Sequence, residues 1–248
     1  MGGNWNINLP SDARTYSESD WLVFGMTGTP NTREKLIALT IEEMVKNGPS
    51  EFNAKDICDR IDAKHALVNY YFGNKEMLIA EASATTYKKH VLEMRDVILA
   101  APMDPEKRLR LFIKRDLEWH KRMNDWALLV SYPLVSKASR ELIDTTFGEE
   151  LKDYFEYLVA LISRLVREIR TGVVSEIDFE PKRLPMHELA LNAEIVLDAI
   201  SILYSSHGLN IWAAGAQIGS SRINTTVISQ KIAIDHHIKR MMELARKK

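Results

Sequence analysis

The chain has 248 residues, 46% of them hydrophobic and 27% charged, with a formal net charge of −1 at pH 7. Those proportions exclude a disordered chain, and the near-zero charge excludes a global field drawing it towards nucleic acid, so any DNA contact has to come from a local patch. A single cysteine excludes an intramolecular disulfide and a cysteine-based zinc cluster, and no run approaches the roughly 18 apolar residues of a membrane span.

No basic segment followed by an apolar stretch opens the chain, so the reading is a cytoplasmic globular protein. Residues 1–30 form an N-terminal extension, partly irregular, with Gly2, Gly3, Pro10, Gly25, Gly28 and Pro30 among serines and asparagines. Its cluster Trp21-Leu22-Val23-Phe24 is too apolar for a free tail. It is expected to dock on the body of its own chain, with a second subunit as the alternative.

From Asn31 the pattern is helical. Asn31 with Glu34 three residues on reads as a capping box. Leu36, Ile37, Thr40, Ile41 and Met44 follow at helical spacing, and Gly48-Pro49 ends the run. Asn53 can cap a second, short helix whose Ala54, Ile57, Cys58 and Ile61 face inward, with Asp56 favouring its N-terminus. A break at Asp62-Ala63 precedes "KHALVNYYFGNKE", residues 64–76, expected to be a third helix ending at Gly73. Lys75-Glu76 opens a fourth helix running to about residue 100.

Pro102 and Pro105 bracket the next break, with a helix expected from about 104 to 123. Asn124-Asp125 punctuates, and Pro133 kinks or ends the segment that Trp126 begins. A further helix is expected from about 149 to 170, stopping at Gly172. After Pro181 and Pro185 comes "HELALNAEIVLDAISILY", apolar on more than one face and so buried on more than one side. A glycine-containing loop over 208–219 then leads to a last helix from about 225 to 246. No strand-type alternation persists. The fold class is all-α.

The stretch 64–76 carries the chemistry. Two short helices joined by a tight turn make a helix-turn-helix, whose second helix can enter a major groove. Ile57, Ile61, Val68 and Phe72 can lock the two helices together. Lys55, Lys64, His65, Asn69, Tyr70, Tyr71 and Lys75 are left for phosphates and base edges. One helical face can bury only part of three adjacent aromatic rings, so the spare tyrosines are placed to meet a DNA backbone and groove.

From about Leu36 to Leu78 the chain resembles the DNA-binding domain of TetR-family bacterial transcriptional regulators. The residues that carry the resemblance are Ile57, Cys58 and Asp59, the Asp62-Ala63 turn, and "LVNYYFGNKEML". They cover a little under a fifth of the chain. The resemblance implies a three-helix DNA-binding domain over 31–78 and a larger helical effector-binding and dimerisation domain over 79–248. Lys55 and Lys64 would then reach phosphates or bases, and His65, Ala66 and Leu67 would open the recognition helix, with Ala66 and Leu67 limited to apolar contact such as a thymine methyl. Asn69, Tyr70 and Tyr71 would bind phosphates or edges, and Lys75 would clamp a phosphate beside a helix N-terminus.

Three features depart from the family pattern. Asp62 stands where a turn glycine is usual, and Lys64 where a capping serine is usual. Residues 31–77 hold seven Lys/Arg against eight Asp/Glu, an acidic balance for a DNA-binding module.

For the larger domain the resemblance implies a small effector, apolar or aromatic, with Phe112, Trp119, Met123, Trp126, Tyr132 and Tyr204 as candidate lining. A packed core is the alternative for each of them. His120, four residues after Asp116, and His236-His237 do not complete a metal site. No nucleophile elbow, phosphate loop or paired carboxylates point to an enzyme, and no cofactor is implied. The expected partners are a double-stranded, palindromic DNA operator and a second copy of the chain, held through the last two long helices. Repression relieved by effector is what the resemblance implies. The rival reading is a helical small-molecule-binding protein that has lost specific DNA binding.

Overall fold

A computed structural model of the protein describes residues 13–15, 17, 21, 24, 28–47, 52–122, 137–177, 180–181, 193–218 and 230–247. Among the described residues there are eight α-helices, a 3-10 turn at Ala13–Thr15, and no strand. The helices are α1 (Thr32–Asn47), α2 (Ala54–Asp59), α3 (Ala66–Phe72), α4 (Lys75–Ala100), α5 (Pro105–Arg122), α6 (Lys137–Thr171), α7 (Ala193–Ile218) and α8 (Gln230–Arg246). The all-α class read from the periodicity is the observed one. The chain divides into two compact units, residues 1–89 with 122–148 and residues 90–121 with 149–248.

In the first unit the helix starts follow local chemistry. The Asn31 amide donates to Glu34 Oε2 at 2.8 Å and the Glu34 amide donates to Asn31 Oδ1 at 3.0 Å, so two orphan donors of α1 are satisfied reciprocally. Asn53 accepts from the Lys55 amide at 3.0 Å and its own amide group donates to Asp56, which fixes the start of α2. Asn74 does the same for α4 by accepting from the Met77 amide at 2.7 Å. The core of this unit is built on Leu36, Leu39, Met44, Ile57, Val68 and Leu78, all essentially inaccessible to water.

Described residues of the N-terminal segment add to that core. Ala13, Trp21 and Phe24 are buried, Trp21 to 4% exposure, and Lys35 on α1 lies over the Trp21 indole at 5.8 Å. The expected docking of this cluster on its own chain is therefore what is seen for Trp21 and Phe24; Leu22 and Val23 lie outside the described residues.

In the second unit, Asp104 caps α5 by accepting from the Lys107 amide at 3.1 Å, and Pro105 occupies the first helical position, where its missing N–H costs nothing. Arg170, near the end of α6, bonds Asp198 on α7 and donates to the Leu244 and Ala245 carbonyls at 3.2 Å each. A cation there satisfies the last carbonyls of α8 and ties three helices together. A buried pair on α6, Arg164 and Glu168, holds the segment after the helix through Ser175 and the Glu176 carbonyl.

Two helices differ from the sequence expectation. The helix α6 begins at Lys137, well before residue 149, and α7 continues through Gly208 and Gly215 to Ile218. A glycine inside a helix costs about 1 kcal/mol relative to alanine, and neither stretch contains a proline, so nothing in either forces a break. Residues 187–192 and 225–229, at the expected starts of the last two helices, lie outside the described residues.

Candidate nucleic-acid interface

The candidate interface is the α2–turn–α3 segment. Ile57, Val68 and Phe72 are buried and Ile61 is half-buried, which locks α2 and α3 on their inner side as expected. The turn between them is closed by two main-chain bonds, Asp62 N–H to Asp59 C=O at 3.3 Å and Ala63 N–H to Cys58 C=O at 2.9 Å. That pairing needs a left-handed residue between the two donors. Asp62 supplies it with φ 53°, the one positive φ outside glycine among the described residues. Aspartate tolerates this region better than most side chains do, so it fills the position where glycine is the usual residue.

At the start of α3 no side chain caps the helix: His65 is already helical at φ −52°, and the Lys64 and His65 carbonyls accept from the Leu67 and Val68 amides at 2.9 and 3.0 Å. The consequence is that Lys64 and His65 keep their side chains free of internal hydrogen bonds among the described residues, both exposed. Gly73, at φ 78°, ends the helix with its amide on the Asn69 carbonyl.

The candidate contact side chains all reach the surface, to different extents. Lys55, Lys64, His65, Ala66 and Asn69 are exposed, Leu67, Tyr71 and Lys75 are partly exposed, and Tyr70 is 78% exposed. Tyr70 and Tyr71 meet edge-on with centroids 5.0 Å apart, and Tyr71 meets the buried Phe72 ring at 6.2 Å. This chain of rings holds Tyr70 in a defined place on the surface.

Most of the positive charge around this face is engaged inside the unit. Arg33 bonds Glu81 at 2.6 Å and lies over the Phe72 ring. Lys46 and Arg60 both pair with Glu42, whose side chain is wholly buried. Lys35 lies on Trp21. Lys75 donates to the Phe52 carbonyl and sits 5.1 Å above the Phe52 ring. Lys75, read from sequence as a phosphate clamp, therefore also braces the segment leading into α2. Sequence reasoning missed Glu42; its signal was a carboxylate inside the apolar run of α1.

Of the candidate effector residues, Phe112 and Trp119 are buried on one face of α5, and Tyr204 is 60% exposed on α7. Met123, Trp126 and Tyr132, and the side chain of His120, lie outside what is described. On the same face of α5 stands Asp116, 4% exposed. Its Oδ1 lies 3.0 Å from His90 Nε2 on α4, and the His90 ring meets the Trp119 ring at a tilt of 41° with centroids 4.1 Å apart. His90 gave no sequence signal. Asp116 gave one, as a charge in the stripe Leu109, Phe112, Ile113 and Leu117. Burial pushes the pKa of His237 on α8 below the usual histidine value, against an opposing pull from Asp116. Among the described residues no group of three or more His, Cys, Asp or Glu is placed to hold a metal ion, and no helix is long and apolar enough to cross a membrane.

No protein-family model and no curated protein matches the chain. Among solved structures it is similar to a TetR transcription regulator from Haloarcula marismortui ATCC 43049, with a TM-score of 0.59 and 17% identity over 86% of this chain and 95% of that one. A second similar structure is a proposed transcriptional regulator from Pseudomonas aeruginosa PAO1, with a TM-score of 0.52 and 17% identity over 89% and 91% of the two chains. The likeness to these two structures is one of fold, an all-helical architecture.

Proposed function

We propose that this chain is a DNA-binding transcriptional regulator, a repressor that binds a palindromic operator as a dimer in the cytoplasm and leaves it when a small apolar or aromatic effector binds. The observation that carries the reading is the α2–Asp62–α3 geometry: a closed helix-turn-helix whose outer side chains, Lys55, Lys64, His65, Ala66, Leu67, Asn69, Tyr70 and Tyr71, are exposed or partly exposed. Lys75 adds a phosphate contact through the donors its ammonium has left.

A symmetric dimer would set two such helices in half-sites about 34–36 Å apart. Its surface is assigned to α7 and α8. Along α7, Leu197, Ser201 and Tyr204 fall on one exposed stripe, with Leu197 at 63% exposure. The exposed positions of α8, among them Asp235, Lys239, Arg240 and Glu243, are charged and suit a rim. The effector is assigned to the second unit, near Phe112 and Trp119, and acts by binding one arrangement of the dimer more tightly. A coupling of about 1–3 kcal/mol would shift operator affinity about 5–150-fold.

The test is selection of bound duplexes from a random library by the purified chain at low salt. Enrichment of a palindrome supports the reading; no enrichment removes it. The rival, a helical small-molecule carrier without specific DNA binding, is favoured by one observation, the engagement of most cations of the DNA-binding unit inside that unit. Tight binding of an apolar ligand together with no enriched duplex would establish it.

A further inference from the structure

Residues 31–77 contain seven cationic side chains, Arg33, Lys35, Lys46, Lys55, Arg60, Lys64 and Lys75. Five of them, Arg33, Lys35, Lys46, Arg60 and Lys75, are engaged by Glu81, Trp21, Glu42 or Phe52 within the same unit. Among the described residues, Lys55 and Lys64 are the two without such a partner, and both are exposed. The charges exposed beside them on α2 and the turn are acidic, Asp56, Asp59 and Asp62, while the exposed face of α3 itself is uncharged and partly apolar. Ala66 and Tyr70 are one helical turn apart on α3, Leu67 lies beside them, and Asn69 and Tyr71 flank the group.

A surface of this composition cannot hold DNA mainly by neutralising phosphates. It has one methyl (Ala66), one branched aliphatic end (Leu67) and one phenol ring (Tyr70) where base edges would lie. In the major groove the complementary apolar feature is the thymine C5-methyl, which no other base carries. Resting on the reading of the chain as a DNA-binding regulator, we infer that its operator is recognised mainly through uncharged contacts. The α3 patch Ala66–Leu67–Tyr70 reads thymine methyl groups, while Lys55 and Lys64 supply sparse phosphate anchoring.

Two consequences separate this from an ordinary electrostatic interface. Each phosphate neutralised adds about −0.9 to the slope of log affinity against log salt. Lys55 and Lys64 from two subunits, with or without Lys75, give a slope of about −4 to −5, a loss of roughly 10²- to 10³-fold between about 50 and 200 mM salt. All seven cations from both subunits would give about −13. Removing a thymine methyl that packs on the patch removes about one buried methyl group, an affinity loss of about fourfold for each such thymine.

The experiment takes the duplex enriched from a random library and the same duplex with deoxyuridine for thymidine in its half-sites. Affinity of the full-length chain for both is measured by fluorescence anisotropy across that salt range. The expected result is a thymine-containing half-site, a slope of about −4 to −5 and a drop of at least fourfold in the uracil duplex. Half-sites without thymine, equal affinity for the two duplexes, or a slope of −8 or steeper would overturn the inference and leave the regulator reading standing. Failure to enrich any duplex would overturn both.

Discussion

Arg60 Nη2 lies 2.8 Å from Glu42 Oε2, and the Glu42 side chain has no exposed surface. The pair joins the middle of α1 to the end of α2, and Lys46 contributes a second cation to the same carboxylate. A buried carboxylate is tolerable only while such partners remain. The Asp62 turn begins two residues after Arg60, so this ion pair also positions the helix-turn-helix.

Replacing Arg60 with alanine is accordingly expected to cost about 2 kcal/mol, the loss of a hydrogen bond to a buried charged group with Lys46 left as partial compensation. Urea denaturation checks it: the midpoint falls with the slope unchanged. A variant as stable as the parent would show that the pair does not hold the two helices.

At Asp62 the left-handed backbone discriminates between substitutions. Asp62→Gly relieves the side-chain strain and is expected to be neutral or to stabilise by about 0.5 kcal/mol, because the gain in the turn is offset by the greater freedom of glycine in the unfolded chain. Asp62→Val forces a β-branched residue to a positive φ and is expected to cost about 1–2 kcal/mol. Thermal melts of the two variants would rank them in that order; the opposite order would contradict the turn geometry.

Tyr70 and Lys75 separate surface from scaffold. Tyr70→Ala removes a ring that is 78% exposed, so stability is expected to stay within about 0.5 kcal/mol while DNA affinity falls. Lys75→Ala also loses the bond to the Phe52 carbonyl and the contact with its ring, and is expected to cost about 1–2 kcal/mol of stability. Affinity and melting temperature measured on the same samples distinguish the two patterns.

Much of the first unit was legible in the sequence because its signals are local. Asn31 with Glu34, Asn53 before α2 and Gly73 after α3 each satisfy backbone groups within a few residues, and each is where the spacing placed it. The long-range partners were not legible. Glu42 and Arg60 lie 18 residues apart and His90 and Asp116 lie 26 apart, so only the folded chain shows that they meet. The spacing predicts a shorter α6 and α7 than are observed, for the opposite reason. Thr145, Gly148 and Gly208 have weak helical propensity, and tertiary packing overrides weak propensity.

In the second unit, acid is expected to destabilise the fold. Burial holds the folded pKa of His237 below its unfolded value of about 6.5, so its contribution is complete above that pH and is lost as pH falls through the depressed folded value. At lower pH the Glu106 carboxyl, lowered by its hydrogen bond to Arg246, adds a loss of the same sign. Stability measured from pH 8 down to about 5 therefore declines, and His237→Gln flattens the upper part of that decline. A profile unchanged by the substitution would assign the effect elsewhere.

The α7 stripe gives a direct handle on assembly. Leu197→Glu or Tyr204→Glu places a charge in a surface assigned to a subunit interface, with both parent side chains well exposed in the single chain. The expected result is a monomer by sedimentation with unaltered helicity, since neither residue supports the interior. A dimer that persists in both variants would remove α7 from the interface.

On the proposed reading, two α3 helices of one dimer enter successive major grooves, and hydroxyl-radical footprinting of the chain on its enriched duplex tests this. Two protected backbone patches are expected on each strand, with the half-site centres about one helical turn (roughly 10–10.5 base pairs) apart, and both patches are expected to be lost in Tyr70→Ala. A single protected patch, or uniform protection along the duplex, would contradict it.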